Sequence, residues 1–536
     1  APMTKPVFAP CADDVKSDVL GAVSETVDDL LTKADEGATP RELERATWLA
    51  LLKLGRLLLM YLFGLLARRA TERDLDARDL GQGDVRLRNE RDYCMTIKTT
   101  LGEVTFPTLA YRDTSSGVVA VTRTPAREVF PLRKHCMSSE LLLEWETRLG
   151  SEHPFRRAQE AMTFFTHGAV TEEDTTIADH MVAVGRLVDR DWCYRPADEI
   201  EEILRTRATI DLETGKSIIY ASTDGEFLRR YVDETWEAQW KQACGVRLWC
   251  VDRHNGATIH LGGEYTWGDC NRVREVFEWL IDTGRLPADG RYHGGLVAQI
   301  VIPTDGARWI RDHVLPLFAP HAQPILDPYH AMEHLGGFVR KLHPKDKQAR
   351  QAWYSEALDM LLGEAKRPRK KKAKKRRGQK RPRRGPGHQA QPAPAVSMPP
   401  PDEPSRGEVL LEWLRQQALP TLEPAAAQEL REELDSLIGF IENNVHRMDY
   451  VRYRAHGYQI GSGAMEALHR GATQIRLKLP GPGWLETTSA AVFNIRMMFL
   501  AGRWDEFWSQ PDLTDQLVAA FAAAREEKRS AQKEAA

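Results

Sequence analysis

Two stretches of the chain, SIIYASTDGEF at residues 217–227 and LVAQIVIPTDG at residues 296–306, decide how the sequence folds. Each is an apolar run of strand length that leads into a Thr-Asp-Gly step, a pattern typical of a buried β-strand ending in a turn. We therefore expect strands that end at Thr223 and Pro303. The same kinds of pattern predict strands at 245–252, 257–263 and 323–326 and helices at 272–282 and 307–317.

The predicted order is three strands, a helix, a strand, a helix and a strand, which matches an RNase H-like domain. After Asp327 the strand patterns stop. Helical patterns then cover residues 329–342, 346–364, 406–417 and 424–444. The predicted fold class is multidomain α+β: an RNase H-like (retroviral integrase-like) α/β catalytic domain interrupted by an all-helical insertion, with a helical and β-hairpin N-terminal DNA-binding region.

The residues before this core have their own patterns. A broad apolar face predicts a helix over residues 40–71, and alternation around Leu101 and Gly102 predicts a β-hairpin. Residues 155–188 have the proportions of a helix-turn-helix, with Arg156 and Arg157 on the first helix. An ordinary helical hairpin fits these residues equally well, because Glu173 and Asp174 at the start of the second helix would meet DNA phosphates badly.

Composition indicates a soluble, multidomain protein. The chain has 536 residues and a net charge of −3, yet residues 366–384 alone carry 14 Lys and Arg and no acid. The seven cysteines form no Cys-x-x-Cys pair, which favours free thiols in a reducing cytosol. The most apolar stretch, residues 48–67, contains Lys53 and Arg56, so we expect a helix in a bundle or dimer interface and no membrane span.

These observations divide the chain into seven predicted segments. They are residues 1–90, an N-terminal helical region for dimerisation or DNA binding; 91–135, a β-hairpin region; 136–210, a helical region with a possible helix-turn-helix; 211–327, the first part of the catalytic core; 328–455, the all-helical insertion with a disordered basic and Pro-rich loop at 366–405; 456–510, the C-terminal helices of the core; and 511–536, a charged tail.

Three carboxylates stand out by their positions: Asp224 and Asp305 at the two Thr-Asp-Gly steps, and Glu466 near the start of a helix. Hard oxygen ligands of this kind hold Mg²⁺, and paired Mg²⁺ ions catalyse phosphoryl transfer. Gly225 and Gly306 would let the backbone turn beside the site. Taken singly, each aspartate is more often a turn residue, and a glutamate at a helix start commonly serves the helix dipole.

Several separate motifs, in order, resemble the DDE transposases of the ISKra4 insertion-sequence family, which is related to the IS256/Mutator group. They are TDGA at 304–307, ILDPYHAMEHL at 325–335, QIGSGAMEALHRGATQIRLKLPGPGW at 459–484 and GRWDEFW at 502–508. The resemblance spans roughly residues 101–508. It implies a helical insertion between the second aspartate and the glutamate, and a prokaryotic, cytoplasmic, nucleoid-associated protein.

By position, the resemblance makes Asp224, Asp305 and Glu466 the catalytic residues and the ligands of two Mg²⁺ ions, for which Mn²⁺ can substitute. The group's Cys-or-Asp, two residues, His signature falls on Asp327 and His330. We interpret these two as support near the site, with Asp327 also the alternative second metal ligand. The other interpretation is that Asp327 ends a strand and His330 satisfies a buried carbonyl.

The implied activity is metal-dependent cleavage of transposon-end DNA and strand transfer into target DNA. Double-stranded DNA is the expected partner, and a homodimer or larger homo-oligomer is expected because two ends must be joined. The basic residues expected to contact DNA are Arg470, Arg476, Lys478, Arg156, Arg157, Lys370, Lys371, Lys372, Lys374, Lys375, Arg376 and Arg377. The alternatives are an RNase H-like nuclease without joining activity and a non-catalytic, domesticated DNA-binding protein.

Overall fold

The computed structural model describes residues 12–77, 85–87, 94–108, 110–113, 121–231, 237–268, 270–363, 397–420, 423–479 and 484–534. It has a mixed sheet and many helices, and the chain divides into two compact units. The first contains residues 1–189, 487–495 and 504–536, and the second contains residues 190–486 and 496–503. The predicted basic loop falls largely on residues outside the described ranges.

The first unit is built from helices and short antiparallel strands. Its helices are α1 (Ala12–Asp35), α2 (Pro40–Ala77), α3 (Ala126–Val129), α4 (Glu140–Glu152), α5 (Phe155–Phe165), α6 (Asp174–Gly185), part of α15 (Glu486–Leu500), α16 (Trp504–Trp508) and α17 (Leu513–Glu534). Its strands are β1 (Val85–Leu87), β2 (Cys94–Thr99), β3 (Gly102–Pro107), β4 (Tyr111–Asp113) and β5 (Val121–Arg123). A 3-10 segment covers Pro131–Lys134.

The predicted hairpin is confirmed: β2 pairs antiparallel with β3, and Gly102 adopts a φ of +109° where the chain reverses. Half of α6 is buried, including Ile177 and Met181, which favours an ordinary helical hairpin over a DNA-reading helix for residues 155–188. The predicted charged tail forms α17, whose Leu517 is buried.

Helix α2 keeps much of its apolar surface exposed, including Trp48, Leu51 and Leu62. Among the described residues it is the one helix long and apolar enough to cross a bilayer, with a mean hydropathy of 1.9 over its most apolar window. Length and composition alone are weak evidence, because core helices and signal sequences pass the same test. That the protein has no membrane partner stays a prediction.

The second unit contains a five-stranded sheet and the remaining helices. The strands are β6 (Ser217–Tyr231), β7 (Ala238–Val251), β8 (Thr258–Trp267), β9 (Ala298–Thr304) and β10 (Ala322–Leu326). The helices are α7 (Ala197–Thr206), α8 (Cys270–Asp282), α9 (Pro328–Leu342), α10 (Lys347–Leu362), α11 (Arg406–Arg415), α12 (Pro424–Asn444), α13 (Tyr450–Ala455) and α14 (Gly463–His469). Shorter 3-10 and π-helical segments cover Asp191–Cys193, Ile310–Val314, Leu315–Leu317, Val445–Arg447 and Arg470–Gln474.

The spatial order of the sheet is β10-β9-β6-β7-β8. Strands β6, β7 and β8 form an antiparallel meander, and β9 and β10 run parallel to β6. The predicted order of the five strands, with a helix between the third and the fourth, is confirmed. The helix expected at 307–317 is instead broken into short π and 3-10 segments, with Pro316 at the start of the second one.

Helices α9 to α13 pack against this sheet. Buried side chains of the sheet, such as Tyr220 and Trp249, belong to the same apolar cluster as Leu335, Leu410 and Leu437 of the helices. Residues 397–405, which were expected to be part of a disordered loop, contact α13: the carbonyl oxygens of Pro399 and Pro400 accept hydrogen bonds from Arg452. The helical insertion therefore shares its core with the sheet.

Candidate active site

Asp224 on β6 and Asp305 just after β9 lie on neighbouring segments of the second unit's sheet. Strands β6 and β9 are paired in parallel as far as Tyr220 and Val301, and Ser222 Oγ then donates to the Pro303 carbonyl oxygen at 2.6 Å. Each aspartate follows two residues later. Burial raises the pKa of Asp305, and the negative charge of Asp224 raises it further against the opposing hydrogen bond from the Ala307 N–H.

The surroundings of Asp224 differ from the sequence prediction. Strand β6 does not end at Thr223 but continues to Tyr231, and Asp224 is paired with Gly245 of β7. Gly225 therefore makes no turn. A Cβ at Gly225 would lie 2.1 Å from Nε2 of Gln242, so the glycine allows close packing across the two strands. Because β7 pairs with β6 from Tyr220 to Tyr231, the antiparallel ladder carries the aspartate past the predicted end.

Gly306 also has a packing role in place of the predicted role in a turn. A Cβ at this position would lie 2.6 Å from Cε2 of Phe440 on α12. The absence of a side chain thus lets the end of the helical insertion approach the segment that carries Asp305. Arg447, just after α12, reinforces this contact: its Nη2 donates to the backbone carbonyl oxygen of Asp305 at 2.8 Å. The insertion consequently shapes the surroundings of the second aspartate.

The guanidinium of Arg447 is almost completely buried, with 1% of the residue exposed. Its Nε and Nη1 have no hydrogen-bond partner among the described residues. Burial lowers the pKa of Arg447, while nearby Tyr450 and Asp305 oppose that change. A buried, incompletely bonded cation is costly, so its position beside an aspartate whose own ionisation is disfavoured is an electrostatic feature of the site.

His469, at the end of α14, was not singled out from the sequence. Its Nε2 lies 3.3 Å from Asp224 Oδ2, and its Nδ1 lies 2.9 Å from the hydroxyl of Tyr265 and 3.4 Å from Glu226 Oε1. Burial opposes protonation, but hydrogen bonds with Asp224 and Glu226 outweigh it and raise the pKa of His469 to about 9. The imidazole links α14 to β6.

Glu226 was also missed. It lies two residues after Asp224 on the same strand, so both side chains point to one face of the sheet. Lys478 Nζ lies 3.2 Å from its Oε2, and Thr473 Oγ1 donates to its Oε1. Burial would raise the pKa of Glu226, but the partnership with His469 and Lys478 lowers it. Spacing along the chain could have pointed to both residues: Glu226 lies two residues after Asp224, and His469 lies three residues after Glu466.

Glu466 lies on the exposed side of α14. The helix itself is fixed from beneath, because Arg247 Nη1 donates to the Ala464 carbonyl oxygen and Met465 covers Gly245. No group of three or more His, Cys, Asp and Glu side chains in the described ranges is arranged to hold a metal ion. The structure thus brings Asp224 and Asp305 together but does not assemble the predicted three-carboxylate centre.

Asp327 is 1% exposed, and both of its carboxylate oxygens already accept hydrogen bonds. Oδ1 accepts from the N–H of Tyr329 at 2.7 Å and so caps α9, whereas Oδ2 accepts from the N–H of Ser462 at 2.7 Å and from its hydroxyl. Ser462 is the N-cap residue of α14. This geometry favours a supporting role for Asp327 over its use as the second metal ligand.

His330 is partly exposed, with its Nδ1 3.8 Å from Glu333 Oε2. It lies close enough to Asp305 for its charge to lower the pKa of that carboxyl. This effect is smaller than that of burial, which acts in the other direction. The histidine belongs to the electrostatic surroundings of the second aspartate.

The basic residues expected to contact DNA differ in how far they are exposed. Arg470 is exposed, and Lys478 is half-exposed beside Glu226. Arg476 is a correction: it is 1% exposed, and its guanidinium lies 4.3 Å from the centre of the Trp484 ring, so it cannot reach a phosphate. Arg156 and Arg157 are exposed on α5 and pair with Glu160. The residues from Lys370 to Arg377 lie outside the described ranges.

Comparisons with known proteins add a distant likeness to a solved structure. No protein-family model matches the sequence, and no curated protein matches it. A solved structure of the Drosophila P element transposase strand transfer complex is similar over 72% of this chain and 99% of that chain, at 9% sequence identity and a TM-score of 0.28. A TM-score of this size does not establish a shared fold.

Proposed function

We propose that the chain is a DDE transposase of the ISKra4 type that its motifs resemble, cleaving transposon-end DNA and joining it to target DNA. The observation that carries the proposal is that Asp224 and Asp305 lie on neighbouring segments of the sheet and that α14 contacts Asp224 through His469. The strand order β10-β9-β6-β7-β8 supports an RNase H-like core for this site.

Asp224 and Asp305 suit a divalent cation by their chemistry. They are oxygen ligands placed close enough for mutual repulsion, which a cation would relieve. Glu466 is the proposed third ligand, from the exposed side of α14. Mg²⁺, or Mn²⁺ in its place, supplies neutralisation of phosphate charge and acidification of a bound water, and the proposal uses two such ions.

The protein's own residues prepare the site in three ways. His469 donates to Asp224 and so fixes the orientation of that carboxylate. Asp327 holds Ser462 and thereby the beginning of the helix that carries Glu466. Arg470 is exposed one turn beyond Glu466, where a guanidinium can bind a DNA phosphate. Each role concerns positioning or binding, as expected for phosphoryl-transfer sites that depend on precise placement.

The proposal is tested with purified full-length protein, DNA carrying the element's ends, and Mg²⁺ or Mn²⁺. Wild type should nick the ends, and Asp224→Ala, Asp305→Ala and Glu466→Ala should each abolish nicking while end binding persists. Full activity of the Asp305→Ala variant would exclude this assignment. Precleaved ends supplied with a plasmid test joining: cleavage without joining would identify a nuclease, and no metal-dependent DNA chemistry at all would identify a DNA-binding protein.

A further inference from the structure

A second cluster of reactive side chains lies in the first unit, far from the carboxylates in sequence. It joins Cys136, which follows a 3-10 segment, with Glu146 of α4 and His180 of α6. Cys136 Sγ lies 3.4 Å from His180 Nε2, and His180 Nδ1 is hydrogen-bonded to Glu146 Oε2. A sulfur, an imidazole and a carboxylate in this order form the arrangement that activates a nucleophilic thiol.

The sulfur lies among donors. Besides His180, the backbone N–H of Ser138 donates to Cys136 Sγ at 3.4 Å, and the thiol can itself donate to the Ser138 carbonyl oxygen at 3.9 Å. The Ser138 N–H and the His180 ring nitrogen are therefore within hydrogen-bonding distance of the sulfur, where a nucleophile needs its activating base.

The carboxylate of Glu146 keeps the imidazole charged. Glu146 is completely buried, and Ser138 Oγ donates to its second oxygen at 3.2 Å. Burial opposes a charge on His180, but hydrogen bonds with Cys136 and Glu146 outweigh it and raise the pKa of His180 to about 10. The other buried acid nearby, Glu172, has its own cation, since its Oε1 lies 2.7 Å from Lys98 Nζ. His180 is thus left to face the sulfur and Glu146.

We propose that Cys136, activated by His180 and Glu146, is a site of oxidation by peroxides. The thiolate sulfur attacks one oxygen of hydrogen peroxide, and the S–O bond forms as the O–O bond breaks. His180 gives its Nε2 proton to the departing hydroxide, so the products are a cysteine sulfenic acid, a neutral imidazole and water. Sulfur loses two electrons and the peroxide gains them. This inference does not depend on the proposed DNA chemistry.

The chain supplies its own matched control. Cys136 and Cys244 are each 4% exposed, but Cys244 lies on strand β7, opposite Thr266 of β8. Cys250 is a second control, because burial raises the pKa of its thiol to about 12. If burial alone governed reactivity, Cys136 and Cys244 would react alike. Activation by His180 instead predicts a large difference between them.

The experiment labels native, full-length protein with iodoacetamide at neutral pH and measures each cysteine by peptide mass spectrometry. Cys136 should react roughly tenfold or more faster than Cys244, as expected for a thiol with an activating base beside it. After brief exposure to hydrogen peroxide, a sulfenic-acid trap such as dimedone should mark Cys136 and leave Cys244 and Cys250 unmarked. Equal labelling rates of Cys136 and Cys244, or no trapped product at Cys136, would overturn the proposal.

Two substitutions test the mechanism. His180→Gln and Glu146→Gln should bring the labelling rate of Cys136 to within roughly twofold of that of Cys244. An unchanged rate in a folded His180→Gln protein would refute activation by the imidazole. Thermal unfolding shows which variants are folded, and if neither substitution is tolerated, the comparison of cysteines within the wild-type protein still decides.

Discussion

The surroundings of Asp305 disfavour its ionised carboxylate. Burial and the neighbouring Asp224 raise its pKa, so the ionised carboxylate destabilises the folded protein at pH values above its ordinary pKa. We expect Asp305→Asn to raise the Tm at pH 7 by about 1 to 3 °C in metal-free buffer while removing DNA cleavage. Differential scanning calorimetry checks this, with Asp312→Asn, an exposed acid paired with Arg311, as the control that should give no such gain.

Asp327 should behave in the opposite way, because its carboxylate is fully used. Asparagine keeps only one acceptor oxygen. In Asp327→Asn, an NH₂ group must therefore take the place of one carboxylate oxygen and face either Ser462 or the Tyr329 N–H, which are themselves donors. Losing one buried, charge-assisted hydrogen bond costs about 1 to 3 kcal/mol, so the free energy of unfolding should fall by that amount. Urea unfolding measures it. An unchanged stability with complete loss of cleavage would instead assign Asp327 as a metal ligand.

At the scale of elements, the contact between α12 and the segment that follows β9 requires a glycine at position 306. Gly306→Ala would place a Cβ 2.6 Å from Phe440, so the helix or the aspartate segment must shift. We expect a loss of about 1 to 3 kcal/mol in the free energy of unfolding, together with weaker cleavage. Gly439→Ala is the control. Gly439 lies on α12 next to Phe440, and nothing lies within 4 Å of the added Cβ, so this substitution should be neutral or stabilising. A Gly306→Ala protein as stable and active as wild type would contradict this contact.

Asp211 connects the chain before β6 with the residues that precede α14. Burial opposes its charge, but hydrogen bonds from Tyr458, His456 and two backbone N–H groups lower its pKa from 3.8 to about 2. Because the folded-state pKa is depressed, this stabilisation is present above about pH 4 and is lost as the pH falls through 2. Asp211→Asn should cost roughly 2 kcal/mol at pH 7.

The pH dependence separates this linkage from ordinary packing damage. Urea unfolding of wild type and Asp211→Asn, repeated between pH 7 and pH 3, should show a difference in the free energy of unfolding that shrinks below pH 4. A difference that stays constant with pH would show that the carboxylate charge is not responsible. Asp252→Asn would not serve as a control, because Asp252 forms an ion pair with Arg207.

The order of the core elements is predictable because apolar runs and turn residues are local signals. Their lengths are not, since Asp224 is carried into the middle of β6 by pairing with β7, which only the tertiary structure provides. The same reason hid His469 and Glu226: a histidine near the end of a short helix gains meaning only when that helix lies on the strand with Asp224. Arg476 was misassigned because a basic motif does not reveal which side chain packs on Trp484.

Across the whole molecule, charge is distributed very unevenly. The net charge is −3, although residues 366–384 alone contribute 14 positive charges, so the rest of the chain is strongly acidic. A strongly acidic surface repels DNA, whereas a concentrated basic segment attracts it through release of counterions. DNA affinity should therefore depend on this one segment more than on the scattered cations that the sequence pattern also indicated, one of which is buried.

Replacing residues 366–396 with an uncharged Gly/Ser segment of equal length tests this dependence. The stability of the remaining protein should be unchanged, since α10 and α11 on either side keep their own packing. DNA binding should weaken, and the slope of log K against log salt should become shallower, because fewer counterions are released. Fluorescence anisotropy with end DNA at several salt concentrations measures both. A variant that alternates Lys and Glu at the same positions controls for segment length and hydration, and an unchanged slope in both variants would place the DNA contact elsewhere on the molecule.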